Sequence, residues 1–243
     1  IKMSNILDGD NQRFTQEVTR EFFKKVYSYM FAALAISGII AYATGTQEFY
    51  FQYFVNVDQF GGQSISPLFY VVAFAPIGLG LLIQFAYRRL SYGLLLALFL
   101  IYSALMGLSL SSVMLVYSGQ DIAITFFVAA GAFGGMAVLG YITKVDLTQF
   151  GSLMYMAFIG IFIAGIANIF IGSSALDFGI AVIGVFVFTG LTAYYMQMLK
   201  TASTDYSLSG IEREKLSLVG GLMLYILFIN LFLSLLRILG SND

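Results

Sequence analysis

Cysteine and histidine are absent from this 243-residue chain, and none of its thirteen acidic residues falls inside an apolar run. Without cysteine there is no disulfide, no thiolate metal site and no thiol nucleophile, and redox compartment cannot be read from this residue type. Without histidine the commonest proton shuttle and metal ligand is missing. Membrane proteins that move ions or protons usually keep an ionisable group at depth, where its cost is tolerated for function. This chain dispenses with one.

These absences remove most catalytic readings. A serine protease with a histidine base, a zinc protease and a haem protein each need a residue the chain lacks. An intramembrane aspartyl protease needs two carboxylates at depth. A retinal protein needs a lysine inside its last span, and none lies between Leu216 and Leu239. Every lysine sits at a span edge and no serine is paired with one by spacing, so a Ser-Lys dyad is not supported. The chain is read as not an enzyme, and no cofactor is expected. Twelve basic against thirteen acidic residues, a net charge of −1, with no basic cluster interleaved by stacking aromatics, excludes nucleic acid as a partner.

What the chain has is apolar length. It is 59% hydrophobic and 10% charged, with mean hydropathy +0.87, whereas soluble domains run about 45–50% apolar and about 25% charged. Runs long enough to cover a hydrocarbon layer of about 30 Å as helix lie at Val26 to Thr44, Pro67 to Tyr87, Tyr92 to Tyr117, Ile122 to Ile142, Leu153 to Ile171, Phe178 to Leu199 and Leu216 to Leu239. They are continuously apolar, so helices rather than alternating barrel strands are predicted. The fold class is all-α: a polytopic seven-transmembrane-helix bundle in the lipid bilayer. Residues 1–25 form a cytoplasmic N-terminal tail, 26–240 the transmembrane domain and 241–243 a C-terminal end.

Charge orients the bundle. Lys2, Arg13, Arg20, Lys24 and Lys25 precede the first span, Arg88 and Arg89 follow the second, Lys144 the fourth, and Lys200, Arg213 and Lys215 the sixth. The positive-inside rule places this side in the cytoplasm, with the N-terminus inside and the C-terminus outside. Arg237, near the outer end of the last span, is either a snorkelling anchor or a fixed positive charge at a pore mouth. The polar tail, with Lys24 and Lys25 abutting the first run, argues for a retained anchor rather than a cleaved signal. Phe14, Val18, Phe22 and Val26 recur every four residues; either the tail is an amphipathic interfacial helix or the first span starts early.

The connection from Gly45 to Ser66 carries Phe49, Tyr50, Phe51, Tyr53, Phe54 and Phe60, too many rings for a freely solvated loop, and is expected to lie on headgroups or pack on the bundle. Gly61-Gly62 and Ser66-Pro67 turn the chain into the second span. Gly131 with Gly135, and Gly160 with Ala164, have the four-residue spacing of close helix contacts, expected within the chain, with self-association as the rival.

Two C-terminal segments carry a signature. Phe188-Thr189-Gly190-Leu191-Thr192-Ala193-Tyr194-Tyr195-Met196-Gln197-Met198-Leu199-Lys200 and Leu224-Tyr225-Ile226-Leu227-Phe228-Ile229-Asn230-Leu231-Phe232-Leu233-Ser234-Leu235-Leu236-Arg237 resemble the C-terminal third of the Bax inhibitor-1 family. The Thr143-Lys144-Val145-Asp146-Leu147 turn is similar to that family's T-K-x-D-L segment. Many members write T-A-Y-D in the sixth span and L-Y-L-D-F-I-N-L-F in the seventh; here those aspartate positions are Tyr195 and Leu227. In members that keep them, the resemblance implies a buried carboxylate pair acting as a pH-sensitive latch on a calcium leak. This chain cannot run that latch. Losing both is coherent, because one stranded aspartate costs roughly 2.5–3.5 kcal/mol on insertion scales. The resemblance implies an arginine near the inner end of the second span that neutralises the pair, with Arg88 or Arg89 as candidates; at the cytoplasmic lip both read first as topology-setting charges.

The double absence resembles the bacterial YccA-type branch, which implies the bacterial inner membrane and an interaction with the membrane-anchored protease FtsH. Two functions follow from the resemblance: binding and modulating an FtsH-type protease or quality-control complex, or a pH-insensitive calcium or cation leak. Calcium prefers six to eight hard oxygens, several of them carboxylate, and no filter repeat is present, which favours the first.

Polar residues within the spans are Gln84, Asn168, Thr189, Thr192, Tyr195, Gln197, Tyr225, Asn230 and Ser234. Thr189, Thr192 and Tyr195 form a slanted stripe on the sixth span; Asn230 and Ser234 share a face of the seventh. The candidate interior site is these five, with the stripes meeting and Tyr195 or Thr192 satisfying the Asn230 amide.

Overall fold

A computed structural model of the chain describes residues 2–57, 62–205 and 207–240, with only the backbone described for residues 2–15 and Val57. The side chains of Lys2, Arg13 and Phe14, the residues Phe60 and Gly61, and the end at 241–243 lie outside the described residues. The elements are α1 (Lys2–Thr44), α2 (Gln47–Phe54), β1 (Val55–Val57), β2 (Gln63–Ile65), α3 (Pro67–Ala86), α4 (Tyr92–Leu110), α5 (Val113–Val116), α6 (Gly119–Ile142), α7 (Thr148–Ile171), α8 (Ser174–Ser203) and α9 (Gly210–Leu239). Among the described residues, seven stretches are long and apolar enough to cross a membrane, as the hydropathy of the sequence predicts.

The helices α3 and α4 start where the apolar runs do, at Pro67 and Tyr92, whereas α6, α8 and α9 start earlier because polar caps extend them. Ser209 caps α9 in a reciprocal box with Glu212, so that the helix starts at Gly210, six residues before Leu216. Ser173 caps α8 and Ser118 caps α6 by accepting backbone N–H bonds. At the N-terminal end, α1 passes through residues 25 and 26 without a break, and Phe22 and Val26 are buried in the core. The predicted third span is interrupted after Leu110. There Ser111 and Ser112 bond back to the carbonyls of Leu108 and Ser109, which competes with the helical ladder and bends it.

Helix α9 is the axis of the bundle. It packs against α1, α4, α6 and α8, while α7 packs on α8 and α3 on α4. Its inner face supplies Leu218, Leu222, Leu224, Tyr225 and Leu231, all essentially inaccessible. Along the crossing from Thr148 to Ile171, by contrast, Gly151 alone is buried.

Close helix approaches occur at different glycines from those the spacing predicts. Gly131, Gly135 and Gly160 face open space, with nothing within 4 Å of where a Cβ would stand. Instead a Cβ on Gly140 would fall against the Ala193 carbonyl, one on Gly151 against the Tyr194 ring, and one on Gly221 at 2.6 Å from the Val26 carbonyl. The four-residue rule marks surfaces able to approach closely, but which surface faces a neighbour is set by helix rotation in the bundle.

The aromatic connection both packs and lies exposed. Phe54 is buried edge-on to Phe69 of α3, ring centres 5.8 Å apart, while Phe51 and Tyr53 are exposed. A short antiparallel hairpin, with Val55 opposite Ile65 and Val57 opposite Gln63, closes this segment.

Proline inside α3 creates a polar demand within the membrane. Pro76 has no N–H, so the Val72 carbonyl four residues earlier loses its helical donor. Ser109 of α4 supplies one, its hydroxyl donating to Val72 O at 2.7 Å. An orphan carbonyl in hydrocarbon is thereby satisfied by the neighbouring helix.

Candidate functional site: an interior polar layer and two adjoining cavities

The α8–α9 approach at Ser234 falls outside the predicted α8 stripe of Thr189, Thr192 and Tyr195. A Cβ on Gly184 of α8 would stand 2.6 Å from Ser234 Oγ, which marks the α8–α9 contact. The expected bond to Asn230 is not formed. Asn230 Nδ2 donates to its own helix at Ile226 O, 2.8 Å; Thr192 Oγ1 donates to Phe188 O at 2.7 Å, and Thr189 Oγ1 to Val185 O at 2.6 Å. A side chain that reaches the carbonyl one turn back satisfies its own donor without a partner helix, so the bilayer's demand for hydrogen bonding is met locally.

Tyr195 finds its partner on the opposite side of α8. Tyr155 of α7 donates its hydroxyl to Tyr195 at 2.5 Å, and Gln84 of α3 lies near Tyr195. Tyr195 is thus a neutral phenol of α8 tied to α7. Leu227 is 4% exposed within the apolar core. Tyr225, fully buried, stands edge-on to Tyr102 at 6.2 Å, and its hydroxyl makes no hydrogen bond.

The three arginines divide by place. Arg88 and Arg89 follow the end of α3 at the lysine-rich side, and Arg88 Nε donates to the Tyr87 hydroxyl at 3.1 Å. That bond, with the charge interaction it brings, raises the Arg88 pKa. Arg88 therefore engages the turn and not the Tyr195 layer. Arg237 lies at the other end and meets Asp177, Nη1 to Oδ1 3.3 Å. Sequence reasoning missed Asp177: it sits 60 residues away and only the antiparallel packing of α8 on α9 brings it close.

Below the layer, the T-K-x-D-L turn is pinned by α8. Gln197 accepts from Leu147 N at 2.8 Å and donates to Val145 O at 2.7 Å. Lys200 Nζ donates to Tyr141 O at 2.7 Å. Asp146 accepts from the Thr148 hydroxyl and amide, which holds its carboxyl below the usual range. The signature residues here act by joining the α6–α7 turn to α8.

Two cavities flank α7 on the Arg237 side. One of about 670 Å³ lies between α3, α4, α7 and α9, from Gln84, Tyr155 and Met223 to Tyr117 and Arg237. The other, about 440 Å³, lies between α7, α8 and α9 and reaches Asn168, Asp177 and Arg237. Phe158, Phe162, Asn230 and Leu233 line both. On α9 nothing before Met223 lines either one, since Leu218 to Leu222 are packed in the core.

Comparison with known proteins agrees with this architecture. The chain is 44% identical over 228 residues to a protein of Caulobacter vibrioides, covering 92% of this chain and 89% of the relative. It is 40% identical over 223 residues to the inner membrane protein YbhL of Escherichia coli, covering 91% and 92%, and 38% identical over 232 residues to a Deinococcus radiodurans protein, covering 96% and 95%. Residues 19–243 match the family model described as inhibitor of apoptosis-promoting Bax1. The seven-helix membrane chain belongs to the Bax inhibitor-1 family.

Proposed function

We propose that this chain is a bacterial inner-membrane interaction protein of the YccA-like kind, acting by binding and modulating a membrane-anchored protease or quality-control complex of the FtsH type, without catalysis of its own. Its N-terminus lies in the cytoplasm and its C-terminus outside, as the distribution of lysine and arginine implies. One observation carries the reading: where a proton-sensitive latch would need two carboxylates, Leu227 is sealed in the core and Tyr195 is held as a bonded phenol. A phenol with an ordinary pKa of about 10 does not titrate near neutrality. An apolar bundle with a fixed interior favours presenting a surface over gating a pore.

The test is affinity purification of the intact chain from bacterial membranes in mild detergent, together with its effect on degradation of a membrane substrate by a purified FtsH-type protease. Co-purification with slowed degradation supports the reading. Failure to recover the protease, with unchanged degradation, overturns it.

The large cavity favours a second reading, a cation leak. Its polar lining at Gln84, Ser109 and Asn230 offers neutral oxygens on one side of the bundle. Vesicles holding the chain and a calcium dye then leak without a step between about pH 6 and 8, because no group in this layer titrates there.

A further inference from the structure

Two grooves that converge on one guanidinium describe the shape of a lipid. The cavities of about 670 and 440 Å³ run side by side, divided by Phe158 and Phe162, and Arg237 lines the end of each. Along α9 the larger extends from Met223 to Arg237, fourteen residues by subtraction, or about 21 Å at ~1.5 Å per residue. Half of a hydrocarbon core of roughly 30 Å is about 15 Å, so the groove accommodates an acyl chain through one leaflet. Its walls open sideways: Leu81 of α3 and Phe162 of α7 line it and are 49% and 43% exposed. The bilayer is what those faces meet.

The polar groups sort by depth. At the end of the larger groove away from Arg237, Tyr155 donates to Tyr195 with Gln84 beside it, and between there and Arg237 most of the lining is apolar, with side chains such as Ile226, Phe158 and Leu233. At the mouth Arg237 bonds Asp177 through Nη1 alone, and a guanidinium carries five N–H donors in a fork suited to phosphate. We propose that a diacyl anionic phospholipid of the Arg237-side leaflet is the occupant, one acyl chain in each groove and its phosphate on Arg237. The site is independent of the protease reading, since it faces lipid and needs no protein partner.

The chain contains no tryptophan, so a single introduced indole reports its own surroundings. Phe162→Trp places one at the wall between the grooves; Ile163→Trp, at matching depth and 61% exposed, lines neither cavity and faces bulk lipid. Each full-length variant is reconstituted in phosphatidylcholine vesicles containing a minor fraction of acyl-brominated phosphatidylglycerol or acyl-brominated phosphatidylcholine. In F162W the phosphatidylglycerol quenches about fivefold more effectively, the ratio that ~1 kcal/mol from one membrane-facing arginine gives at ~1.4 kcal/mol per decade. In I163W the two lipids quench alike. Adding Arg237→Gln abolishes the F162W preference and Asp177→Asn increases it. Native mass spectrometry of the unsubstituted chain supplies a second readout, with one phosphatidylglycerol retained and lost in R237Q. Equal quenching of the two reporters by both lipids, or quenching of F162W by aqueous iodide with no response to bromolipid, overturns the proposal.

Discussion

Tyr155 of α7 donates its hydroxyl to Tyr195 of α8 at 2.5 Å, making a neutral cross-link between the two helices. Because α7 packs on the bundle through α8, this bond lies on its line of attachment. Interhelical hydrogen bonds in membranes average about 0.6 kcal/mol, with a maximum near ~1.7 kcal/mol. Tyr155→Phe and Tyr195→Phe are each expected to lower unfolding free energy within that range, and the double variant to lose less than the sum. Reversible detergent unfolding in a double-mutant cycle measures it; full additivity speaks against a direct bond. Leu227→Asp, at 4% exposure, is expected to cost roughly 2.5–3.5 kcal/mol by burying a lone carboxyl.

Proline 76 and Ser109 make a second pair with a definite sign. Ser109→Ala strands the Val72 carbonyl, and an unsatisfied buried acceptor costs about 1–3 kcal/mol. Changing Pro76→Ala as well returns the helical N–H to that carbonyl. The loss from S109A is therefore expected to shrink in the P76A background. An equal loss in both backgrounds shows that the hydroxyl serves another purpose.

Two glycines separate true helix contacts from spacing alone. Gly140→Ala drives a methyl group onto the Ala193 backbone, an overpacking expected to cost about 1–3 kcal/mol. Gly131→Ala points into open space and gains up to ~1 kcal/mol of helix propensity. Melting temperatures in detergent rank the two variants; destabilisation by G131A together with a change in oligomeric mass instead reveals self-association through that face.

Acidification has a predictable effect at the lysine-rich end. Bonds from Thr148 depress the Asp146 pKa, and bonds from Ser209 depress that of Glu212. A depressed folded pKa contributes stability that is present above the unfolded value and lost as pH falls through the folded one. Thermal stability is thus expected to be flat near neutrality and to fall below the ordinary carboxylate range. Asp146→Asn and Glu212→Gln flatten that acid limb, and an unchanged limb in both variants rules out these caps as its source.

Orientation follows from charge and is open to direct labelling. The chain lacks cysteine, so single replacements at Ser64 and Lys144 are unambiguous. A membrane-impermeant maleimide applied to intact spheroplasts is expected to label Ser64→Cys and to spare Lys144→Cys until the membrane is opened. The reverse pattern inverts the topology.

The candidate site was legible in the sequence only in part. Thr192, Tyr195 and Ser234 are buried as their positions suggest, yet Asn230, Thr192 and Thr189 bond to their own helices. The partner of Tyr195, Tyr155, comes from α7, which neither polar stripe includes. The start of α9 was visible in the Ser209-Gly210-Ile211-Glu212 pattern, a capping box, whereas apolar counting placed it six residues later.

The sequence alone determined that this is a seven-span membrane bundle, because hydrocarbon thickness fixes run length and unpaired backbone in lipid leaves only helices. It also determined that no Asp or Glu stands within the apolar runs, since that depends on residue type alone. Only the tertiary structure decided which glycines touch, that Ser109 answers Pro76, that Arg237 meets Asp177, and that two grooves share one guanidinium. Those relations depend on helix rotation and neighbour choice. Lipid is as apolar as leucine, so the apolar pattern of a span does not say which face turns inward; packing and hydrogen bonding between helices set it.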